Sequence, residues 1–219
     1  MYFYSQAMQD NWVCEVLNYK PNGFYIDIGG YDGVTTSNTY AFETQLGWTG
    51  ICVEPNTDLY SMMRKNRRNN CINAAISDYN GICHFGNDRI VENSNTFVNC
   101  YTLDQLLINN SAPREIDYLS IDIEGDEHKV LSNFNFKNWD IKLMTVEHNS
   151  YLAGDTEKNK LFELLTAKGF IRVVNNVVCS DSGFRPFEDW YVNSMYFNYL
   201  RPNIEKWNST HYKAQATNI

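Results

Sequence analysis

FYIDIGGYDG, at residues 24–33, is the segment from which the architecture of this protein can be read. Five residues of strand type, 24–28, run into the pair Gly29-Gly30, and a helix is predicted over about 37–47. Glycine permits backbone conformations that a side chain forbids, and it lets a ligand come close to the chain. The segment therefore predicts the first strand and turn of an open α/β sheet with a ligand site at the turn. A tight turn without a ligand is the alternative that this motif alone leaves open.

Apolar runs of strand length alternate with helix-like stretches along the rest of the chain. Further strands are predicted at 50–54, 71–77, 116–123, 141–146, 170–174 and 191–198, and helices near 58–68, from 102 onward, at 127–132 and at 156–168. This alternation is typical of βαβ units in a largely parallel sheet. The irregular stretch 78–101 predicts a hairpin inserted at a sheet edge. We find no linker, so a single domain over 1–219 is expected, either alone or within a longer enzyme.

The composition excludes several classes of protein. The chain has 219 residues, a net charge of −8, 43% hydrophobic and 20% charged residues, which is typical of a folded globular protein and not of a disordered one. An acidic chain is a poor non-specific nucleic-acid binder, and the basic run Arg64–Arg68 is expected on a solvated helix face. No apolar run has the length of a membrane span, and no secretory signal is evident.

The six cysteines are scattered and form no C-x-x-C pair, so we expect them to be reduced and mostly buried. Zinc binding and disulfide formation are therefore not expected. This use of cysteine is typical of a reducing compartment, and the sequence predicts a cytoplasmic location.

The residues around the glycine turn indicate which cofactor it binds. Glu54 ends the second strand, 21 positions after Gly33, where a carboxylate can accept hydrogen bonds from both hydroxyls of a ribose. The turn has the order D-x-G-G-x-D-G instead of the G-x-G-x-x-G of dinucleotide sites. Asp27 and Asp32 would repel a pyrophosphate and attract a cationic ligand such as S-adenosylmethionine (SAM). A NAD-linked oxidoreductase of nucleotide sugars and a non-catalytic binding module remain the alternatives.

Two acidic segments, SIDIEG (120–125) and TVEHN (145–149), end the strands predicted at 116–123 and 141–146. Because ligands of open α/β sheets bind at the carboxyl ends of the strands, we expect Asp122, Glu124, Glu147 and His148 to converge there. The three carboxylates suit a divalent cation such as Mg²⁺ or Mn²⁺, and Asp122 or His148 suits a general base near an acceptor hydroxyl. Helix caps and ion pairs are the structural alternative. Tyr31, Trp48 and Tyr151 are candidates to border a sugar.

These motifs together resemble the FkbM family of SAM-dependent methyltransferases. The matching segments are YIDIGGYDGVTTSNTYAFE (25–43), GWTGICVEPN (47–56), NAAISD (73–78), YTLDQLL (101–107), IDYLSIDIEGDEHKVL (116–131) and MTVEHN (144–149). Ser5-Gln6-x-x-Gln9-Asp10 also resembles the entry segment of one branch of the family. The resemblance implies a class I methyltransferase Rossmann-like fold, with a seven-stranded, mostly parallel sheet that has one antiparallel strand and helices on both faces.

The resemblance also implies a function and a set of site residues. The activity would be O-methylation of a sugar, glycan or other glycosylated acceptor, with S-adenosylhomocysteine (SAH) as the product. A glycosyltransferase domain is a candidate neighbour. The SAM turn would comprise Asp27, Gly29, Gly30, Asp32 and Gly33, with Glu54 on the ribose and Ala75 and Ile76 beside the adenine. Asp122, Glu124, Glu147 and His148 would face the acceptor.

Overall fold

A seven-stranded sheet forms the centre of the computed structural model, which describes residues 1–180 and 183–212. Its strands lie in the order β10-β11-β9-β8-β1-β2-β3, and β11 runs antiparallel to both of its neighbours. The strands are β1 (Phe24–Ile28), β2 (Thr49–Val53), β3 (Asn70–Ile72), β8 (Glu115–Ile121), β9 (Asp140–Glu147), β10 (Phe170–Val177) and β11 (Glu188–Asn193). The predicted seven-stranded, mostly parallel sheet with one antiparallel strand is confirmed.

Helices cover both faces of this sheet. They are α1 (Gln9–Val16), α2 (Tyr40–Leu46), α3 (Thr57–Asn66), α4 (Leu103–Asn109), α5 (Glu127–Asn133), α6 (Ser150–Ala153), α7 (Thr156–Ala167) and α8 (Ser194–Trp207), followed by a π-helical turn (Asn208–Tyr212). Side chains of α1, α2, α3 and α8 share one core with Tyr25 of β1, whereas α4, α5 and α7 share the other with Ile26. Adjacent residues of β1 thus face opposite cores, as the pleat of a strand requires.

A second sheet replaces the hairpin that was predicted at 78–101. It has four strands in the order β4-β7-β5-β6, namely β4 (Ala75–Ile76), β5 (Gly81–Gly86), β6 (Arg89–Val91) and β7 (Phe97–Tyr101). The single strand predicted at 71–77 is divided, because residues 70–72 pair with β2 and residues 75–76 pair with β7. The insertion is therefore a small sheet with its own apolar core around Cys83, Phe85, Val98 and Cys100.

The strand predicted at 191–198 ends earlier than expected, at Asn193. The side chain of Asn193 accepts a hydrogen bond from the backbone N–H of Met195 at 3.0 Å, so this residue caps the N-terminus of α8. Asparagine is favoured at this position because its side chain satisfies a helix N–H that has no partner within the helix. The cap therefore turns an apolar run of strand type into a helix.

Helix α8 packs against α1, which the sequence did not predict. The ring of Trp190 lies 4.9 Å from that of Trp12 and 5.2 Å from that of Trp207, and the indole N–H of Trp207 donates to Asn11 Oδ1 at 2.9 Å. Aromatic pairs of this kind contribute about 0.5–1.5 kcal/mol each beyond the burial of their surface. These contacts fix the N-terminal segment against the end of the chain.

The six cysteines are all buried, as predicted. Among the residues that the structure describes, no helix is both long and apolar enough to cross a lipid bilayer.

Candidate active site

The turn after β1 approaches β8 so closely that only glycine fits. Gly29 has φ 91°, and a Cβ atom there would lie 1.9 Å from the carbonyl oxygen of Asp122. The N–H of Asp122 donates to the carbonyl of Ile28 at 3.0 Å, while the N–H groups of Gly29 and Gly30 donate to Val53 at 3.0 and 2.9 Å. The glycine turn and Asp122 are therefore joined through the backbone of two neighbouring strands.

A cavity of ≈ 290 Å³ opens beyond the carboxyl ends of β1, β2, β8 and β9. The predicted site residues that line it are Asp27, Gly29, Gly30, Glu54, Ala75, Ile76, Asp122, Glu124 and Glu147. Its position is the one that open α/β sheets use for ligands. The cavity therefore brings together both halves of the predicted site, the turn and the acidic strand ends.

Glu54 is fixed at the end of β2 by the backbone. Its Oε2 accepts the N–H of Tyr31 at 3.0 Å, and its Oε1 accepts the N–H of Asn56 at 2.8 Å. Burial raises the pKa of Glu54 to about 7, even though both hydrogen bonds favour the charged form. Each carboxylate oxygen can accept a second hydrogen bond, so Glu54 can still bind hydroxyl groups of a ligand.

The charge of Asp27, at the end of β1, is compensated by a buried arginine. Its Oδ2 accepts the hydroxyl of Thr39 at 2.5 Å and lies 3.4 Å from Nη2 of Arg67. The same guanidinium donates to Ser37 Oγ at 2.6 Å and lies 3.3 Å from Glu43 Oε2. Arg67 belongs to the basic run that was predicted on a solvated face, and that prediction is wrong for this residue, whose side chain is fully buried. It is needed inside because two carboxylates are buried beside it.

Two residues of the predicted SAM turn lie outside the cavity, so their expected contact with the cofactor is corrected. The carboxylate of Asp32 turns back onto its own loop and accepts the N–H of Val34 and both the N–H and the hydroxyl of Thr35, at 2.9, 2.7 and 2.7 Å. Burial opposes the charge on Asp32, but these hydrogen bonds outweigh it and hold its pKa below the ordinary value. Gly33 has φ 84° and packs against Met63 and Arg67. Both residues shape the turn.

Asp122, Glu124 and Glu147 form an acidic group, to which we refer as the carboxylate triad. One oxygen from each lies within 4.8 Å of the others. Glu147 is 5% exposed, and its Oε2 has no hydrogen-bond partner among the described residues. Glu124 adopts a left-handed backbone conformation with φ 63°, which is rare without glycine and indicates that the surrounding structure imposes it.

Glu147 is buried, Asp122 and Glu124 are half-buried, and the three carboxylates crowd negative charge into one place. Burial, together with the charges of Glu124 and Asp27, raises the pKa of Asp122 to about 6. Burial and the neighbouring carboxylates also hold the pKa of Glu147 well above its ordinary value. Asp122 therefore exchanges a proton close to neutral pH, which suits a general base. The same three carboxylates are of the type that binds Mg²⁺ or Mn²⁺.

His148 does not join the triad, and its predicted place at the acceptor is corrected. It is 4% exposed, its Nδ1 accepts the N–H of Ser150 at 3.2 Å, and its Nε2 lies 3.5 Å from Asp189 Oδ1 on β11. Asp189 also binds Arg172 at 2.8 Å. Because His148 follows Glu147 directly, the two side chains leave the chain in opposite directions. His148 therefore joins the end of β9 to β11.

Other lining residues were not predicted from the sequence. Gln6 reaches the cavity from the N-terminal segment, and the second sheet contributes Phe85, Asp88, Arg89 and Ile90. Of the three aromatic residues that were expected to border a sugar, Tyr31 and Tyr151 line the cavity. Trp48 does not, since it is buried in the core against Phe42 at 4.7 Å between ring centroids.

Comparison with known proteins identifies the family of this protein. The sequence matches the Methyltransferase FkbM domain over residues 27–172, which is more than half of the chain. The protein belongs to the FkbM methyltransferase family. The matched range runs from Asp27 through the glycine turn, Glu54 and the carboxylate triad. No curated protein matches the sequence.

Solved structures share the fold at low sequence identity. The FkbM methyltransferase from Methylobacillus flagellatus KT is 9% identical with a TM-score of 0.54, and the match covers 78% of this chain and 43% of that one. The O-methyltransferase from Bacillus cereus, solved with SAH, is 14% identical with a TM-score of 0.54 over 87% and 82% of the two chains. Fibrillarin, a pre-rRNA processing protein of Methanococcus jannaschii, is 13% identical with a TM-score of 0.50 over 80% and 68%.

These comparisons establish the FkbM methyltransferase family and a class I methyltransferase fold for this domain. The domain spans less than half of the FkbM methyltransferase from Methylobacillus. Proteins of this fold act on diverse acceptors, so the acceptor has to be inferred from the site.

Proposed function

We propose that this FkbM domain transfers a methyl group from SAM to a hydroxyl group of a sugar, a glycan or a glycosylated acceptor. The observation that carries the proposal is the carboxylate triad, whose oxygens lie within 4.8 Å of one another in the same cavity as the glycine turn and Glu54. A hydroxyl group is a poor nucleophile until it loses its proton, and a carboxylate beside the donor assists that loss.

The cavity fits SAM on the side of the turn. Glu54 is oriented by two backbone N–H groups and has acceptor capacity left for the ribose hydroxyls. Gly29 and Gly30 leave room for close approach, and Ala75 and Ile76 provide an apolar surface for the adenine. When bound, SAM supplies an electrophilic methyl group. Asp27 contributes at the floor of the cavity, where Arg67 reduces its effective charge.

Asp122 is the proposed catalytic residue. Its pKa of about 6 leaves most of the group charged at neutral pH and still basic enough to accept a proton. Glu147 has a buried oxygen with no partner among the described residues, and burying such an atom is costly unless a proton or a cation satisfies it. We therefore propose that Asp122, Glu124 and Glu147 can hold one divalent cation, Mg²⁺ or Mn²⁺. The cation would assist deprotonation of the acceptor hydroxyl as a Lewis acid.

The carbohydrate acceptor is supported by the rim of the cavity. Tyr31 is 49% exposed and Tyr151 also lines the cavity, and aromatic faces of this kind pack well against sugar rings. The family resemblance in the sequence points to the same class of acceptor.

The first test is ligand binding by thermal shift and calorimetry with the purified protein. We expect SAH to raise the melting temperature in proportion to its binding, while NAD leaves it unchanged. If NAD stabilises the protein and SAH does not, the oxidoreductase alternative replaces this proposal.

The second test measures consumption of SAM with a panel of acceptors that includes sugars, glycosides and a short RNA. Turnover with a glycoside, lost when its free hydroxyls are blocked, supports the proposal. Turnover with RNA alone overturns the acceptor class. Removal of divalent cations with a chelator, followed by their return, tests the metal: unchanged turnover at each stage would contradict it.

A further inference from the structure

The N-terminal segment is folded against the cavity by its own hydrogen bonds. We define the strap as residues 4–8. The carboxylate of Asp10 accepts the N–H of Tyr4 at 2.6 Å, the N–H of Ser5 at 3.3 Å and the hydroxyl of Ser5 at 2.6 Å. Gln9 Oε1 accepts the N–H of Ala7 at 2.9 Å. Asp10 and Gln9 are both buried, so the strap is a fixed part of the domain.

The strap lies beside the loop that follows the glycine turn. The ring of Tyr4 packs edge-on against Tyr40, with centroids 4.9 Å apart and an angle of 88° between the planes. Gln6 lies two residues after Tyr4 in the strap, and Asn38, in the loop, lies two residues before Tyr40. Both Gln6 and Asn38 line the cavity. The domain therefore presents two amide side chains on one side of the space assigned to SAM.

Both amides have hydrogen-bonding capacity to spare. Asn38 Nδ2 donates to Ser120 Oγ at 2.9 Å, which fixes the side chain, but its buried Oδ1 has no partner in the described part of the chain. The amide of Gln6 is half-buried and makes no hydrogen bond to protein within residues 1–180 and 183–212. A buried amide oxygen without a partner is costly, so the site is better satisfied when a ligand donates to it.

The charge of the cavity determines what these amides are needed for. Its lining is rich in carboxylates, namely Asp27, Glu54, Asp88, Asp122, Glu124, Asp126 and Glu147. These groups attract the sulfonium and ammonium charges of SAM but repel its α-carboxylate. The one Lys or Arg among the described lining residues, Arg89, belongs to the second sheet, as do Ala75 and Ile76 on the side assigned to the adenine. On the side of the strap, a primary amide supplies two N–H groups to the carboxylate without adding charge.

We infer that Gln6 and Asn38 form the subsite for the α-amino-acid end of SAM. Gln6 donates its amide N–H to the ligand carboxylate, and Asn38 Oδ1 accepts from the ligand ammonium group. This inference rests on the proposed function, because it assigns the orientation of the cofactor within the same cavity. It makes the strap, which precedes every strand of the sheet, part of the cofactor site.

The test compares two ligands by calorimetry. SAH carries the amino-acid end, whereas 5′-methylthioadenosine has the same adenosine and sulfur but lacks that end. We expect Gln6→Ala and Asn38→Ala each to weaken SAH binding by roughly 10- to 100-fold, since each removes a hydrogen bond to a charged group. Binding of methylthioadenosine should change by less than about twofold, which also shows that the variants fold.

Two further variants sharpen the test. Gln6→Glu places a negative charge against the ligand carboxylate, so it should weaken SAH binding more than Gln6→Ala does. Gln105→Ala, which removes an amide on α4 that does not line the cavity, is the matched control and should leave both ligands unaffected.

The outcomes separate this inference from the proposed function. Equal weakening of both ligands by Gln6→Ala and Asn38→Ala would place the amides at the adenosine end and overturn the inference. Unchanged SAH binding in both variants would overturn it as well. If the wild-type protein bound neither SAH nor methylthioadenosine, the proposed function itself would fail.

Discussion

The carboxylate at the end of β1 and those after β8 and at the end of β9 line the same cavity, but they differ in their partners. Asp27 lies 3.4 Å from the buried guanidinium of Arg67 and accepts the hydroxyl of Thr39. The triad has no comparable cation within 4.0 Å among the described residues, and one oxygen of Glu147 has no partner there. Buried charges that serve structure are compensated, whereas uncompensated ones concentrate where chemistry occurs. The contrast separates the carboxylate that supports the turn from those that are available to a substrate.

The largest expected effect comes from removing the cation that compensates the buried carboxylates beside the turn. Arg67→Ala leaves Asp27 and Glu43 buried without their cation, which costs about 3–5 kcal/mol. We expect the melting temperature to fall by roughly 10 °C, measured by calorimetry. Arg64→Ala is the matched control, since Arg64 is exposed in the last turn of α3, three residues before Arg67. Equal melting temperatures for the two variants would show that the network around Arg67 is dispensable.

A substitution in the carboxylate triad should change the catalytic activity and leave the stability of the fold nearly unchanged. Asp122→Asn removes the proposed base, so we expect turnover to fall by roughly 10²- to 10⁴-fold. The melting temperature and the affinity for SAH should stay close to wild type, because Asn retains the shape of Asp. Steady-state turnover with a glycoside acceptor measures this effect, with the exposed Glu163→Gln as control. Full turnover by Asp122→Asn would remove Asp122 from the mechanism.

Glu147→Gln should stabilise the ligand-free protein in a pH-dependent way. An acid whose pKa is higher in the folded than in the unfolded protein contributes stability at low pH and loses it as the pH rises. The pKa of Glu147 is raised well above its ordinary value, so the loss of its proton as the pH rises favours the unfolded protein. We expect Glu147→Gln to raise the free energy of unfolding by on the order of 1–2 kcal/mol at pH 8.

The gain from Glu147→Gln should be smaller at pH 5 than at pH 8, because the unfolded protein keeps more of the proton at the lower pH. Urea unfolding at both pH values, with a chelator present, measures the difference. A gain of equal size at pH 5 and pH 8 would mean that Glu147 is not the group that titrates.

Asp32→Ala should have the smallest effect. The change removes three hydrogen bonds within the loop, and substitutions of this kind cost about 1 kcal/mol or less for a half-exposed turn. We expect calorimetry to find SAH affinity within about twofold of wild type, because Asp32 does not line the cavity. A tenfold loss of affinity with an unchanged melting temperature would return Asp32 to the cofactor site.

The sequence was sufficient to predict where the site lies. Parallel strands end at one edge of a sheet, so the segments after β1, β2, β8 and β9 had to meet. The spacing of Gly33 and Glu54 and the two acidic segments predicted that Glu54 and the triad would lie near one another, and the structure brings them to one cavity. Their roles in binding and catalysis stay predictions. Membership of the FkbM methyltransferase family supports the predicted cofactor class, but part of the physical reason changes. Of the carboxylates predicted for the site, those that line the cavity without a cationic partner among the described residues are Glu54 and the triad, since Asp32 turns away and Asp27 is partnered by Arg67.

The directions of individual side chains could not be read from composition or spacing. The alternation of side chains along a strand does carry one such signal. Glu147 and His148 are adjacent, so they cannot both face one cavity. Burial of Arg67 depends on Asp27 and Glu43, which lie 40 and 24 positions away in the chain. The strap depends on α1, whose Asn11 contacts Trp207 across 196 positions. Such long-range partners leave no local pattern in a single sequence.

The second sheet forms one side of the cavity and could be exchanged as a unit. Its first and last strands in the chain, β4 and β7, pair with each other, with Ala75 opposite Cys100 and Ile76 opposite Tyr101. The intervening chain thus leaves and rejoins the scaffold at one place, while Phe85, Asp88, Arg89 and Ile90 reach the cavity. A graft of this module from a relative would alter the contour of the pocket without disturbing the strands that carry the methyl-transfer chemistry.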